Sequence, residues 1–391
     1  MLDLRNAQSR MQKDLIDAWV IYDFRGSNPL LWQVIGRKKS TTRRSFLVIP
    51  AGTTPRLLAH IVDKEQFSEI NVPAEYYVGW EDMQRMIREM LRSCHKVAME
   101  YSPNGSIPTM SWVDGGTLEL IRSLGMEVVS SADLFQSVGA AWSDDALKSH
   151  LEVTKTVSAI KDKAFAHITQ TIRSGISLTE YDVQKFIMWE FERRHLETED
   201  HPIVAVNANS GNPHYEPTAQ MKSEIRRGDW VLIDLWARFP GEQNVFSDIT
   251  WVGYMDREVP IKYQAVFNIV REARDLVVER LKEAWDRGDN VEGWELDMVA
   301  RNHIQRAGHG QHFLHRTGHS LGPGSSLHAL GVNLDNLETR DTRRILVGNG
   351  FSVEPGIYLT DFGVRSEINV YVSEKGPIVT TPVQNEIVKL E

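Results

Sequence analysis

Four acids stand where a folding chain tolerates them worst. Asp234 lies in GDWVLIDLW, Asp248 in FSDITW, Glu354 in FSVEPGIY and Glu367 in VRSEINVYV. Each run is rich in β-branched and aromatic residues and reads as a strand. A carboxylate among such neighbours loses its hydration and needs a partner. Turn signals separate the members of each pair: Phe239-Pro240-Gly241-Glu242 in the first, Thr360-Asp361-Phe362-Gly363 in the second. A hairpin turning on Gly241 sets Asp234 opposite Asp248. One turning between Thr360 and Asp361 sets Glu354 opposite Glu367. Facing like charges destabilise a sheet, so a cation belongs between them, and bound metal is the economical candidate. The plainer alternative is a set of solvated or salt-bridged acids whose hairpin parity is accidental. Two turn-centred pairs in repeated surroundings weigh against it.

Those surroundings do repeat. Val153, Val157, Ile160, Ala164, Ile168 and Ile172 mark a long amphipathic helix stopped by Gly175, and Ser177-Leu-Thr-Glu180 reads as a capping box for the next. Strands are expected at Ile203–Asn209, Trp230–Ala237 and Asp248–Tyr254. Helices at Tyr263–Arg287 and Val291–Ala307 then precede strands at Phe351–Leu359 and Val364–Val372. Helix, helix, hairpin, twice over, predicts a domain of two related halves, although the letters themselves do not repeat. Before Ser143 the chain differs. WVIYDF, SFLVIP, RLLAHIVD, EYYVGW and KVAMEY read as strands, with a helix through Met83, Met86, Ile87, Met90 and Leu91. That alternation predicts a separate α/β domain over residues 1–142, followed by an α+β domain over 143–391. The first domain has no G-x-G-x-x-G after a strand, which speaks against a dinucleotide role.

Composition narrows the partners. Lys+Arg 44 against Asp+Glu 53 gives a formal charge of −9, which favours neither nucleic acid nor an anionic membrane. One cysteine, Cys94, cannot form an intramolecular disulfide, so a reducing, cytoplasmic setting is expected. The N-terminal MLDLRNAQSRMQKDL carries both charge signs and no apolar core of a signal sequence, and no run approaches the length of a membrane span.

Six of the thirteen histidines fall between His303 and His328. A zinc site using His309, His312, His315 and His319 is one reading. Against it, no H-E-x-x-H occurs, and closely spaced histidines in a glycine-rich loop rarely face one point. For any single one of them, an exposed or core-satisfied imidazole is the plainer reading.

Taken together, the Asp…SDIT pair, H-R-T-G-H-S-L-G, VEPGIY and VRSE stand in the order found in the pita-bread metallopeptidases. The chain from about Ser143 to Glu391 resembles that family, most closely its Xaa-Pro branch of prolidase and aminopeptidase P. The preceding α/β segment resembles the branch's creatinase-like N-terminal domain. The resemblance implies two divalent metal ions held by Asp234, Asp248, His319, Glu354 and Glu367, with Asp248 and Glu367 bridging and Glu354 doubling as proton shuttle. An oxygen-dominated set with one imidazole suits Mn²⁺, with Co²⁺ or Zn²⁺ as alternatives. Such a metal pair generates hydroxide near neutral pH and polarises the scissile carbonyl. His214, His315 and His328 match positions that line the family's substrate cleft, and Arg365 matches an arginine that orients the acids. The implied substrate is a short peptide with proline second, and the implied assembly is a homodimer.

Departures from the pattern cluster around the expected cleft. Asp234 and Asp248 stand further apart than is common, which lengthens the 238–245 hairpin tip, and His319 and His328 are also further apart. Trp236 replaces a small residue, Trp251 an arginine and Ala329 a glutamate. Tyr215 and Tyr358 are candidates to grip a proline ring. These features keep two other readings open: a non-peptidase lyase or hydrolase on the same scaffold, and a non-catalytic binding protein.

Overall fold

The computed structural model describes residues 4–36 and 39–391, so Met1–Asp3 of the amphipathic N-terminal segment lie outside the described residues. The chain divides into two compact units, Met1–Gly139 and Ala140–Glu391.

Unit one is a six-stranded mixed sheet. Its strands are β1 (Ala18–Phe24), β2 (Arg44–Pro50), β3 (Arg56–His60), β4 (Ala74–Tyr77), β5 (Lys96–Met99) and β6 (Glu127–Ser130), in the order β4-β3-β2-β1-β5-β6. Around it run α1 (Leu4–Lys13), α2 (Pro29–Ile35), α3 (Trp80–Met90), α4 (Gly115–Ser123) and α5 (Ala132–Gly139). Alternation along β1 sends Trp19 and Ile21 into one core and Ala18, Val20 and Tyr22 into the other, so the sheet is covered on both faces. The expected strand over RLLAHIVD ends at His60, whose side chain caps a 3₁₀ turn at Ile61–Phe67.

Unit two carries the repeat. The first half runs α6 (Asp144–Arg173), α7 (Glu180–Arg193), β7 (Ile203–Val206), β8 (Trp230–Ala237) and β9 (Ser247–Tyr254). The second runs α8 (Ile261–Arg287), α9 (Gly293–Arg306), β10 (Ser320–Leu321), β11 (Gly350–Val353), β12 (Gly356–Tyr358), β13 (Gly363–Arg365), β14 (Ile368–Ser373) and β15 (Gly376–Val379). A short β16 (Val388–Lys389) then pairs parallel with β9, at the edge of the first half's sheet. The capping box of α7 is Thr179 with Asp182, two residues beyond the expected Ser177, because Ser177 turns its hydroxyl to Glu224 instead. The strand expected over Ile203–Asn209 stops at Val206, where a 3₁₀ turn takes over.

Register departs from expectation in one hairpin. Asp234 pairs with Thr250 and Trp236 with Asp248, a slip of two residues that preserves parity. The tip explains the slip. Arg238 leaves the hairpin to bridge with Glu197, its guanidinium caps the Gly241 carbonyl at 2.7 Å, and Val245 and Phe246 fold back into the core. The two aspartates therefore sit diagonally on one face rather than directly opposite. In the second half, Gly356 pairs with Arg365 and Val353 with Ile368, so Glu354 and Glu367 face each other in the gap between two ladders.

Alternation along β8 and β9 sorts the faces. Val231, Ile233, Leu235, Ile249 and Trp251 pack with α6 and α7, while Trp230, Leu232, Val252 and Tyr254 pack with α8. The outer edge of β9 is satisfied by the second half. Asn369 accepts from the Asp248 N–H at 2.9 Å and donates to its carbonyl at 2.8 Å. Gln384 repeats that bidentate pairing on Val252. Glu367 N donates to the Thr250 carbonyl and Leu390 N to that of Tyr254. Two side-chain amides thus stand in for a neighbouring strand.

Candidate metal centre

Because strand neighbours alternate faces, Asp234, Trp236, Asp248 and Thr250 share the face of the β8–β9 hairpin turned away from α6 and α7. The second half supplies Glu354, Arg365 and Glu367 from its own hairpin. The loop from Phe313 to His319 completes the ring, and α9 fixes it. Buried Asp297 accepts from Thr317 N at 2.9 Å and from its hydroxyl at 2.7 Å, and it pairs with Arg301, which also holds the His315 carbonyl. Gly318 lets this loop press on β11, since a Cβ there would stand 2.0 Å from the Ser352 carbonyl oxygen. The Ser352 hydroxyl in turn accepts from His319 N at 2.9 Å and donates to Glu354 at 3.0 Å.

All nine residues singled out from the sequence line one cavity of about 590 Å³: His214, Asp234, Asp248, His315, His319, His328, Glu354, Arg365 and Glu367. Ligand atoms of Asp248, His319 and Glu367 lie within 4.8 Å of one another. His319 Nε2 is 3.3 Å from Asp248 and 3.5 Å from Glu354. Arg365 pairs with Asp234, donates to Thr250 at 3.0 Å and to the Tyr358 hydroxyl at 2.9 Å, and Thr250 donates to Glu367 at 2.9 Å. Three carboxylate oxygens are left over. Asp234 Oδ1, Asp248 Oδ1 and Glu367 Oε1 are buried with no hydrogen-bond partner.

Electrostatics tell the same story. Burial, reinforced by neighbouring acids, pushes Asp234 up to about 7 and Asp248 up to about 8, and raises Glu367 well above the usual carboxylate range. Burial works on Glu354 too, but His319, His315 and nearby arginines outweigh it and hold that acid low. One arginine does not neutralise this group of acids. Orphaned oxygens converging beside an imidazole form a hard, anionic donor set that fits divalent cations.

The remaining positions divide. His214 is exposed at the rim, and His328, also open to solvent, lies with its ring centroid 4.2 Å from that of His319, the two rings tilted at 59°. His315 is engaged at both nitrogens, with Nδ1 donating to the Arg316 carbonyl at 2.7 Å and Nε2 accepting from the Tyr358 hydroxyl at 2.7 Å. Tyr358 and Tyr215 do not offer faces to a substrate ring. Tyr358 is buried between His315 and Arg365, and Tyr215 is buried with its hydroxyl 2.6 Å from Glu180. Trp251 lies on the other face, under the buried Lys161 ammonium at 3.3 Å. Neither Ala329 nor any residue of the 238–245 tip lines the cavity, whereas Trp236 does. Asn369 escaped the sequence reading. A lone amide in the apolar run INVYV was the available signal.

The fold and the site together define a pita-bread architecture with a carboxylate- and imidazole-lined centre at the seam of its two halves. The chain belongs to the metallopeptidase family M24, whose model matches residues 152–374. It is 28% identical over 216 residues to the Xaa-Pro dipeptidase of Lactobacillus helveticus, covering 55% of this chain and 54% of that protein. Among solved structures it is similar to dipeptidase PepE from Mycobacterium ulcerans, with a TM-score of 0.64 and 20% identity over 99% of this chain and 96% of that one. It is likewise similar to a prolidase from Thermococcus sibiricus, with a TM-score of 0.56 and 20% identity over 99% and 98%.

Proposed function

We propose that this chain is a dinuclear metallo-exopeptidase that hydrolyses the bond before proline in short peptides. The observation that carries the reading is the set of unpartnered, buried carboxylate oxygens on Asp234, Asp248 and Glu367, the last two of these residues grouped with His319. Asp234, Asp248, His319, Glu354 and Glu367 would hold two divalent ions, Mn²⁺ first among the candidates. Ions bound there supply Lewis acidity, polarising a carbonyl and acidifying a water.

The chain's own groups do the rest. Arg365 holds Asp234 in place, and Ser352 orients Glu354. Glu354, open to the cavity, moves a proton to the leaving nitrogen. His328, whose ring nitrogens carry no hydrogen bond among the described residues, is free to donate to the oxygen that gains charge. His315 positions Arg365 through Tyr358, and His214 meets the substrate at the rim. A proline-specific cleft must accept an amide with no N–H. Xaa-Pro specificity draws support from the relatives' names and the three matching histidines. A homodimer in the cytoplasm accords with the family resemblance and with a single, buried Cys94.

A second reading, a non-peptidase metalloenzyme, is favoured by Trp236, whose ring walls the cavity where the resemblance leads one to expect a small residue. Turnover of Ala-Pro, Met-Pro, Ala-Ala and Ala-Pro-Ala with Mn²⁺ separates the readings. Cleavage of Ala-Ala as fast as Ala-Pro removes the proline specificity. Silence on all four peptides, with metal bound, hands the case to the second reading.

A further inference from the structure

We propose that Arg274 is a positioning residue for the metal centre: from behind, it clamps the Arg365-Ser366-Glu367 link and so sets where Glu367 stands before metal binds. The inference rests on the reading proposed above. Alternation turns Arg365 and Glu367 to the cavity and Ser366 to α8. Val364 and Ile368, on either side of Ser366 in that outer row, share one apolar core with Val270, Ala273, Val277 and Val278 of α8. Arg274 and Ser366, both fully buried, meet in that seam. The guanidinium engages all three of its nitrogens. Nη1 donates to the Ser366 hydroxyl at 2.7 Å and to the Gln384 carbonyl at 2.9 Å, while Nε and Nη2 donate to Asp275 Oδ1 at 2.9 and 2.7 Å. A rigid fork of this kind holds two directions at once, which an ammonium does not.

The link needs such a restraint. It lies in the gap between the β12–β13 and β11–β14 ladders, where its own backbone is weakly bonded. Ser366 N stands 3.5 Å from the Pro355 carbonyl oxygen, and Glu367 N stands 3.3 Å from that of Thr250. Both distances exceed the usual N–H···O range. At 2.7 Å, the bond from Arg274 is the tighter hold on Ser366. Stability alone does not call for this pair. Burying an arginine and a hydroxyl costs hydration, and packed apolar residues in place of a buried polar pair often leave a protein as stable or more so. What the polar pair adds is direction. With Ser366 fixed, the Glu367 carboxylate, which receives one bond from Thr250 and keeps Oε1 unpartnered, is ordered in advance of its ion.

The test titrates the metal-stripped full chain with Mn²⁺ by calorimetry, with denaturant unfolding and Ala-Pro turnover measured alongside. It uses wild type, Arg274→Met, Arg274→Lys, Ser366→Ala and the double variant Arg274→Met/Ser366→Ala. Arg274→Met and Ser366→Ala should each weaken Mn²⁺ binding by on the order of tenfold or more, the size expected when a group supporting a metal ligand is removed. The double variant should bind no more weakly than Arg274→Met, because both changes act through one contact. Arg274→Lys should lie between. Turnover lost at limiting Mn²⁺ should return in excess. Gln384→Leu, which keeps the carbonyl that Arg274 uses, is the control for lost stability. Wild-type Mn²⁺ affinity in folded Arg274→Met or in Ser366→Ala overturns the clamp, as does an equal loss of affinity in Gln384→Leu. If no peptide is cut yet the affinities fall as stated, the clamp stands and the peptidase reading falls. If Ala-Pro is cut and the variants bind Mn²⁺ like wild type, the reading stands and the clamp falls.

Discussion

Glu367 and His328 share a cavity but are tied to it differently. Glu367 is buried, receives one hydrogen bond from Thr250 and keeps one oxygen without a partner. Replacing it with alanine should leave two positive centres under-neutralised, so Glu367→Ala is expected to retain at most one metal per chain and to lose activity. Metal analysis per chain checks this, and two ions with full turnover would remove Glu367 from the ligand set. His328 stands at the open rim, its ring tilted against that of His319, without a bond to any acid among the described residues. His328→Ala should therefore keep its metal and lose on the order of 10²-fold in rate, the size expected for one oxyanion donor. Metal loss in that variant would make the imidazole a ligand instead.

At the scale of elements, hydrophobic alternation located the hairpins and kept all four acids on the inner face, because parity survives a slip of two. It could not reveal the slip itself, which depends on Arg238 leaving the ladder for Glu197. The family resemblance placed Trp251 near the cleft, although its odd–even position on β9 assigns it to the α6 side. Nor did alternation single out Asn369 and Gln384, since an amide that mimics a strand looks like any polar residue until its partner is known. These two make a controlled pair. Each satisfies one N–H and one C=O of β9, so Asn369→Leu and Gln384→Leu should each destabilise by about 2 kcal/mol or more, measured by denaturant unfolding. Only Asn369 holds the backbone of Asp248. Asn369→Leu should accordingly weaken metal retention as well, whereas Gln384→Leu should leave it intact. Equal metal loss in both would show that the amide acts on overall stability alone.

For the whole molecule, acid sensitivity has an identifiable source away from the cavity. His150 on α6 is fully buried, with Nδ1 donating to the Phe246 carbonyl at 2.8 Å and Nε2 2.8 Å from the Thr380 hydroxyl. Burial pushes it down to about 4 from 6.5. A lowered imidazole contributes stability that is complete above about 6.5 and is lost as pH falls towards 4, by at most about 3 kcal/mol at 1.4 kcal/mol per unit. The difference in unfolding free energy between wild type and His150→Gln, followed from pH 7 to pH 4, should shrink by that order. A difference that stays constant with pH would show that His150 takes up its proton as readily in the folded protein as in the unfolded chain.

The parallel pairing of Val388 with Gly253 sets an order of events during synthesis. The strand that closes the first half's sheet is translated long after the strand it joins, and so are Asn369 and Gln384. Until they arrive, β9 presents an open edge, the kind of surface that recruits stray strands. A nascent chain halted before residue 360 should therefore hold the first half in a protease-sensitive state, and release past residue 390 should protect it. Chaperone dependence during that interval would follow from the fold itself, independently of the chemistry at its centre.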